Sequence, residues 1–249
     1  MNAFVVIPAR YHSTRLPTKL LREIAGVPMI VRTARQALKS GLPVWVAYDE
    51  VRIAEALATE AVQTIATSAH HQNGSERLSE VVQRLGWEDE TVVVNVQGDE
   101  PMMPPELIKT VVECLRQSPE AAVATLAVRF SDKETLHDAT AVKVVCNQKG
   151  QALYFSRAPI PWVRDRADEE QAEYLRHIGI YAYRVATLRR YPQLPATPLE
   201  HLEKLEQLRF LEYGLTVAVA VVDEAPPAGV DCEQDLARVE ALLALQSLQ

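Results

Sequence analysis

The stretch AFVVIPARYHSTRLPTKLL, residues 3–21, sets a short apolar run directly before three cations. AFVVI (3–7) reads as a buried strand, because a brief continuous apolar run ended by proline suits a strand covered on both faces. Arg10, Arg15 and Lys19 follow within ten positions, on a path stiffened by Pro8 and Pro17. The segment contains no glycine, although phosphate-binding loops usually need bare backbone close to the anion. Side-chain charge can replace that cradle: arginine offers a two-pronged fork and lysine a point charge. The alternative for such cations is a solvated surface. Their place on a constrained loop just after the first strand favours polyphosphate binding.

Working outward, strand and helix patterns alternate. PMIVRTARQALKSG (28–41) predicts a helix with Pro28 at its first position and Gly41 past its end. VWVAY (44–48) predicts a strand. DEVRIAEALAT (49–59) predicts a helix with Asp49 and Glu50 in its first turn. VQTIAT (62–67) is a short strand, SERLSEVVQRLG (75–86) a helix ending at Gly86, TVVVNV (91–96) a strand, and PPELIKTVVECLRQ (104–117) a helix opened by proline. This rhythm predicts a doubly wound, largely parallel α/β sheet, with ligands bound beyond the carboxyl ends of the strands. Beyond about residue 120 strands dominate, and NQKGQ (147–151) reads as a hairpin turn, so an antiparallel region inserted on the parallel core is expected. PLEHLEKLEQLRFLEYG (198–214) predicts one helix, RDRADEEQAE (164–173) an exposed mobile loop, and 232–247 an amphipathic helix with Leu236, Val239 and Leu243 on one face.

The 249 residues are 48% hydrophobic and carry a formal charge of −7. That balance argues against nucleic acid or an anionic membrane as the main partner, but not against a small anion held by a local cationic site. Three scattered cysteines without a CxxC pair fit a reducing, cytoplasmic setting. MNAFVVIPAR lacks the positive start and the apolar length of a secretory signal, and no apolar run approaches membrane-spanning length.

VNVQGDEP (94–101) puts Gln97 and Asp99 just past a buried strand. A carboxylate there suits Mg²⁺, which takes one or two protein carboxylates plus phosphate oxygens; an ordinary GD turn is the other reading. In GVDCEQD (229–235), Asp231 is a second candidate acid or a helix cap with Gln234 three residues on. HHQNGSERL (70–78) offers Asn73, Ser75 and Arg77 at a helix start, suited to bonding a base or sugar. Arg157 lies in the rigid YFSRAPIPW. His177, Gly179, Tyr181 and Tyr183 alternate along one strand face, and Glu206 and Gln207 sit among leucines; taken singly, these read as a half-buried strand and an exposed helix face. No G-x-S-x-G, nucleophilic cysteine context or G-x-G-x-x-G is present.

Together the blocks VVIPARYHSTRLPTKLL, HHQNGSERLSEVV, VVVNVQGDEPMMP, AVKVV, ALYFSRAPIPW, RHIGIYAYR, LEKLEQLRFLEYG and GVDCEQDL resemble the 3-deoxy-manno-octulosonate (Kdo) cytidylyltransferases, and they span nearly the whole chain in family order. The resemblance implies a single domain of the nucleotide-diphospho-sugar transferase fold, Rossmann-like and three-layered with a mixed sheet. Residues 1–120 would be mainly the CTP-binding core, about 121–225 a sugar-binding and dimerisation region, and 226–249 a helix returning to the core. It implies transfer of CMP from CTP to the anomeric 2-hydroxyl of Kdo for lipopolysaccharide synthesis, with Mg²⁺, in a homodimer. Arg10, Arg15 and Lys19 would hold the CTP phosphates; Asn73, Ser75, Arg77 and Gln97 would lie near cytidine. Asp99 and Asp231 would bind Mg²⁺, and Arg157, His177, Tyr181, Glu206 and Gln207 would line the Kdo site. A cytidylyltransferase for 8-amino-Kdo or a sialic acid, and a non-catalytic CTP-binding protein, are the alternatives.

The chain departs from the family pattern in three places. The usual P-G-K-P is here Pro17-Thr18-Lys19-Leu20, the usual Asn-Pro before VKVV is Ala139-Thr140, and the usual D-T-P-E-D is Asp231-Cys232-Glu233-Gln234-Asp235.

Overall fold

The computed structural model describes residues 2–13, 15–130, 134–165 and 172–246. They fall into two compact units, one of residues 1–109, 184–191 and 226–249 and one of residues 110–183 and 192–225.

The first unit is built on four parallel strands: β1 (Ala3–Ala9), β4 (Val44–Tyr48), β5 (Gln63–Ala66) and β6 (Val92–Asn95). Their order is β6-β1-β4-β5. Val5, Val6 and Ile7 of β1 and Val92, Val93 and Val94 of β6 are fully buried, which is why both strands read as unbroken apolar runs rather than alternations. Between β1 and β4 come the ribbon β2 (Glu23–Ile24) and β3 (Val27–Pro28) and the helix α1 (Met29–Leu38). Helices α2 (Val51–Ala56) and α3 (Gly74–Leu85) precede β5 and β6. The chain runs from β1 to β4 and β5 on one side, then returns to place β6 on the other side of β1. That reversal makes the carboxyl ends of β1 and β6 the switch point of the sheet, where α/β folds bind ligands.

Helix α4 (Pro105–Gln117) begins in the first unit and ends in the second. The second unit holds β7 (Val123–Arg129), β8 (Lys143–Cys146), β9 (Ala152–Ser156) and β10 (Leu175–Arg184). Strand β10 pairs antiparallel with β7 and β8, and β8 pairs antiparallel with β9. The expected β8–β9 turn is present, with Asn147 Nδ2 donating to Gln151 Oε1 at 2.8 Å. Helix α5 (Val185–Arg190) returns to the first unit. Helices α6 (Pro198–Glu203) and α7 (Gln207–Glu212) and strand β11 (Val217–Val222), parallel to β7, complete the second unit. Helix α8 (Glu233–Gln246) closes the first.

Four expectations need correction or restriction. Pro28 is the N-cap of α1, not its first helical residue. Helix α2 starts at Val51, which leaves Asp49 outside it. The single helix expected at 198–214 is two, because Lys204 takes the left-handed conformation at φ 54° and ends α6. Of the loop expected at 164–173, residues 166–171 lie outside the described residues.

Candidate active site

In the first unit, one cavity of about 330 Å³ opens at the switch point. Arg10, Arg15, Lys19, Asn73, Arg77, Gln97, Asp99 and Asp231 all line it. The glycine absent from the cationic loop is found in its neighbour. A Cβ on Gly98 would lie 3.1 Å from the backbone oxygen of Pro8 and 3.1 Å from both methyls of Leu20. Gly98 therefore lets the two loops touch, while the cations reach inward by side chain.

The two candidate carboxylates are brought together by backbone. Val230 N donates to Asp99 O at 2.9 Å, which holds the segment before Asp231 against Asp99. One ammonium then meets both acids: Lys19 Nζ is 2.5 Å from Asp99 Oδ2 and 3.1 Å from Asp231 Oδ1. Arg15 adds a contact to Asp231 Oδ1 at 3.0 Å. Burial works to lower the Lys19 pKa, but Asp99 and Asp231 outweigh it, so the ammonium is held above its ordinary value. Burial, reinforced by the same two carboxylates, pushes the neighbouring Glu100 carboxyl up to about 8. The cap question at Asp231 also resolves. Asp235, not Asp231, accepts the N–H groups of residues 231 and 232, at 2.9 and 3.0 Å. The Asp231 carboxylate is thus turned to the cavity. Two convergent oxygen donors that already hold a cation suit a hard divalent metal.

Helix α3 supplies the far wall. Asn73 is its N-cap, accepting from Glu76 N at 2.9 Å and donating from Nδ2 to Tyr191 OH at 3.2 Å. Ser75 is fully buried, behind the residues that line the cavity. Arg77 is almost wholly buried and bound on both arms, to Asp49 Oδ2 at 3.0 Å and to Thr67 Oγ1 at 2.5 Å.

The second unit gathers the other candidates. His177 Nε2 lies 2.9 Å from Thr125 Oγ1, whose own proton goes to Ile180 O at 2.7 Å. The histidine therefore donates from Nε2, and Nδ1 is the acceptor. Burial pushes the ring down to about 3, so it is neutral. Phe155, His177, Tyr181, Tyr183 and Phe210 form a continuous aromatic row. Arg157 is fixed by its own surroundings: Nε donates to Glu203 O at 2.7 Å and its outer arm to Ala139 O at 2.8 Å. Glu206 stands at the N-cap position of α7 and is half-buried, and Gln207 beside it is buried, so neither sits on an exposed helix face.

A family model described as Cytidylyltransferase matches residues 4–218. A 3-deoxy-manno-octulosonate cytidylyltransferase of Dichelobacter nodosus (strain VCS1703A) is 60% identical over 238 residues, covering 96% of each chain. The chain belongs to this family. A relative of the same name from Hahella chejuensis (strain KCTC 2396) is 49% identical and covers 99% of this chain and 100% of its own. A solved structure of CMP:2-keto-3-deoxy-manno-octonic acid synthetase complexed with CTP superposes with a TM-score of 0.91 at 42% identity, covering 99% of this chain and 100% of its own. The fold is accordingly the nucleotide-sugar transferase α/β fold. Cytidylyltransferases generally use a divalent metal.

Against the family pattern, the replaced glycine of the first loop is the informative departure. Thr18 has a left-handed backbone, φ 53° and ψ 31°, at the position where the family pattern reads glycine. That conformation is strained in a β-branched residue.

Sequence reasoning missed Asp49. The pattern DEVRIAEALAT puts it in the first turn of a helix, whereas its side chain is only 4% exposed. The available signal is its place directly after VWVAY, the position that Arg10 occupies after its own strand.

Proposed function

We propose that this chain transfers CMP from CTP to the anomeric 2-hydroxyl of Kdo, giving CMP-Kdo and pyrophosphate. The observation that carries the reading is the convergence of three loop cations and two carboxylates on one cavity at the switch point. That cavity belongs to a chain 60% identical to a Kdo cytidylyltransferase.

Arg10, Arg15 and Lys19 hold the triphosphate and offset charge as it builds on the departing phosphates. Asn73 and Arg77 set the wall beside cytidine, with Ser75 behind them and Gln97 opposite. Residues of the second unit, Arg157, His177, Tyr181, Glu206 and Gln207, receive Kdo; the neutral, oriented His177 presents an acceptor nitrogen to a sugar hydroxyl. The 2-hydroxyl oxygen attacks the α-phosphorus in line. The bond from that phosphorus to the bridging oxygen breaks, pyrophosphate leaves with the bonding pair, and the hydroxyl proton passes to solvent. No covalent enzyme intermediate is formed, so positioning and charge supply the catalysis. Asp99 and Asp231 would hold Mg²⁺, and the chemistry it would supply there is neutralisation of phosphate charge and a lowered pKa for the attacking hydroxyl.

We also place the enzyme in the cytoplasm as a homodimer. Free Cys114, Cys146 and Cys232 support a reducing compartment. Exposed apolar side chains at Leu153, Trp162 and Val221 in the second unit support a covered face. Among the described residues no helix is long and apolar enough to cross a membrane.

Pyrophosphate release from CTP and Mg²⁺, measured with and without Kdo, tests the reaction. Kdo-dependent release is expected. CTP binding without release overturns the catalytic reading, and faster release with 8-amino-Kdo or a sialic acid changes the acceptor.

A further inference from the structure

Asp49 lies just past β4, and it does not line the cavity. It nevertheless touches two segments that do. Its Oδ1 accepts the backbone N–H of Tyr11, at the root of the cationic loop, at 2.8 Å. Its Oδ2 accepts from Arg77 of α3 at 3.0 Å. The side chains of the pair are 3% and 4% exposed, so the contacts are shielded from solvent. The other Arg77 arm is held by Thr67 Oγ1, which itself donates to Tyr48 O at 3.0 Å. Tyr11 is braced from its second side by the Arg52 guanidinium, 4.4 Å above its ring. One carboxylate thus ties the loop after β1, the end of β4 and the start of α3 into a single frame. It also neutralises Arg77, whose charge acts unfavourably with that of Arg10 on the same cavity.

We propose that Asp49 is a positioning residue for CTP: it sets the spacing between the cationic loop and the α3 wall and leaves Arg10, Arg15 and Lys19 free to serve the phosphates. A buried ion pair adds little net stability against apolar replacement, whereas breaking one side leaves an uncompensated charge. A role in spacing the loop gives the charge a purpose that packing alone would not require.

Asp49's role depends on CTP being the ligand of the cavity, as proposed above. CTP binding is therefore measured directly by titration calorimetry, beside steady-state kinetics with CTP and Kdo varied in turn. Asp49→Asn keeps the shape and an acceptor for Tyr11 but removes the charge that orients Arg77. Expected are a rise of roughly tenfold or more in Kd and KM for CTP, the scale of one lost charge-assisted hydrogen bond, and kcat and the KM for Kdo within about threefold of wild type. Glu60→Gln, which breaks the Arg35–Glu60 pair away from the cavity, serves as the control and leaves CTP binding unchanged.

A folded Asp49→Asn enzyme with wild-type CTP affinity overturns the role, as does a loss confined to kcat. If Asp49→Asn folds poorly, Asp49→Glu keeps the charge that pairs with Arg77 but moves the carboxylate relative to the Tyr11 N–H. That variant is expected to fold and to bind CTP more weakly; wild-type CTP affinity in it would mean Asp49 matters for stability alone. Wild type that binds CTP but releases no pyrophosphate defeats the transferase reading while Asp49 is still judged by Kd. Wild type that does not bind CTP defeats both.

Discussion

The Lys19 ammonium lies 2.5 Å from Asp99 Oδ2, with a side chain only 13% exposed. The loop cation and the acid after β6 therefore form one charge cluster, completed by Asp231 at 3.1 Å. Replacing Asp99 by Ala should cost roughly 3 kcal/mol or more of transition-state stabilisation, about a hundredfold or more in kcat/KM. Pyrophosphate release under saturating Mg²⁺ measures it, and near-normal turnover would remove Asp99 from the chemistry.

Thr18 occupies a left-handed position at φ 53°. Thr18→Gly removes the steric penalty on a β-branched residue but adds chain entropy to the unfolded state. The steric term is the larger, so a net gain of about 0.5–1 kcal/mol is expected. Urea unfolding decides it; a destabilised variant would mean that the threonine side chain makes a compensating contact.

Gly98 is constrained by space rather than by its backbone angles. A Cβ there meets Pro8 O and the Leu20 methyls at 3.1 Å, and Leu20 adjoins Lys19. Gly98→Ala should leave the protein folded but push the cationic loop outward, raising the KM for CTP by about threefold to tenfold, the cost of a modest misplacement of binding groups. An alanine variant with wild-type CTP kinetics would show that the two loops can part without consequence.

His177 is held in its neutral form, its pKa lowered by desolvation from 6.5 to about 3. Between those values the unfolded chain binds a proton that the folded chain refuses. The histidine's environment thus favours folding fully only above about pH 6.5, and this part of the stability is lost as pH falls. His177→Gln should flatten the loss of unfolding free energy over that acid range, relative to wild type. Denaturant titrations at a series of pH values test this, and parallel profiles would contradict it. The same variant should weaken Kdo binding more than CTP binding.

Much of the first unit was legible in the sequence because its signals are local. Buried parallel strands appear as short apolar runs, and their helices carry caps such as Asn73 and Gly86. The cations of the first loop and the acid of QGDEP stand directly after such strands, so the site could be found without knowing the strand order. The break at Lys204 was not legible. The 198–214 pattern is helical on both sides, and nothing in a lysine announces a left-handed residue.

The sequence by itself determined which segments are strands, which loops carry charge and which family the blocks resemble. Only the tertiary structure decided which charges meet. Periodicity reports on residues a few positions apart, whereas ion pairs depend on which segments pack side by side. The order β6-β1-β4-β5 brings the loops after β1, β4 and β6 to one end of the sheet. That order turned Asp49 from an apparent helix-start acid into the anchor of Tyr11 and Arg77. The backbone bond from Val230 to Asp99, together with the cap made by Asp235, left Asp231 free to face Lys19.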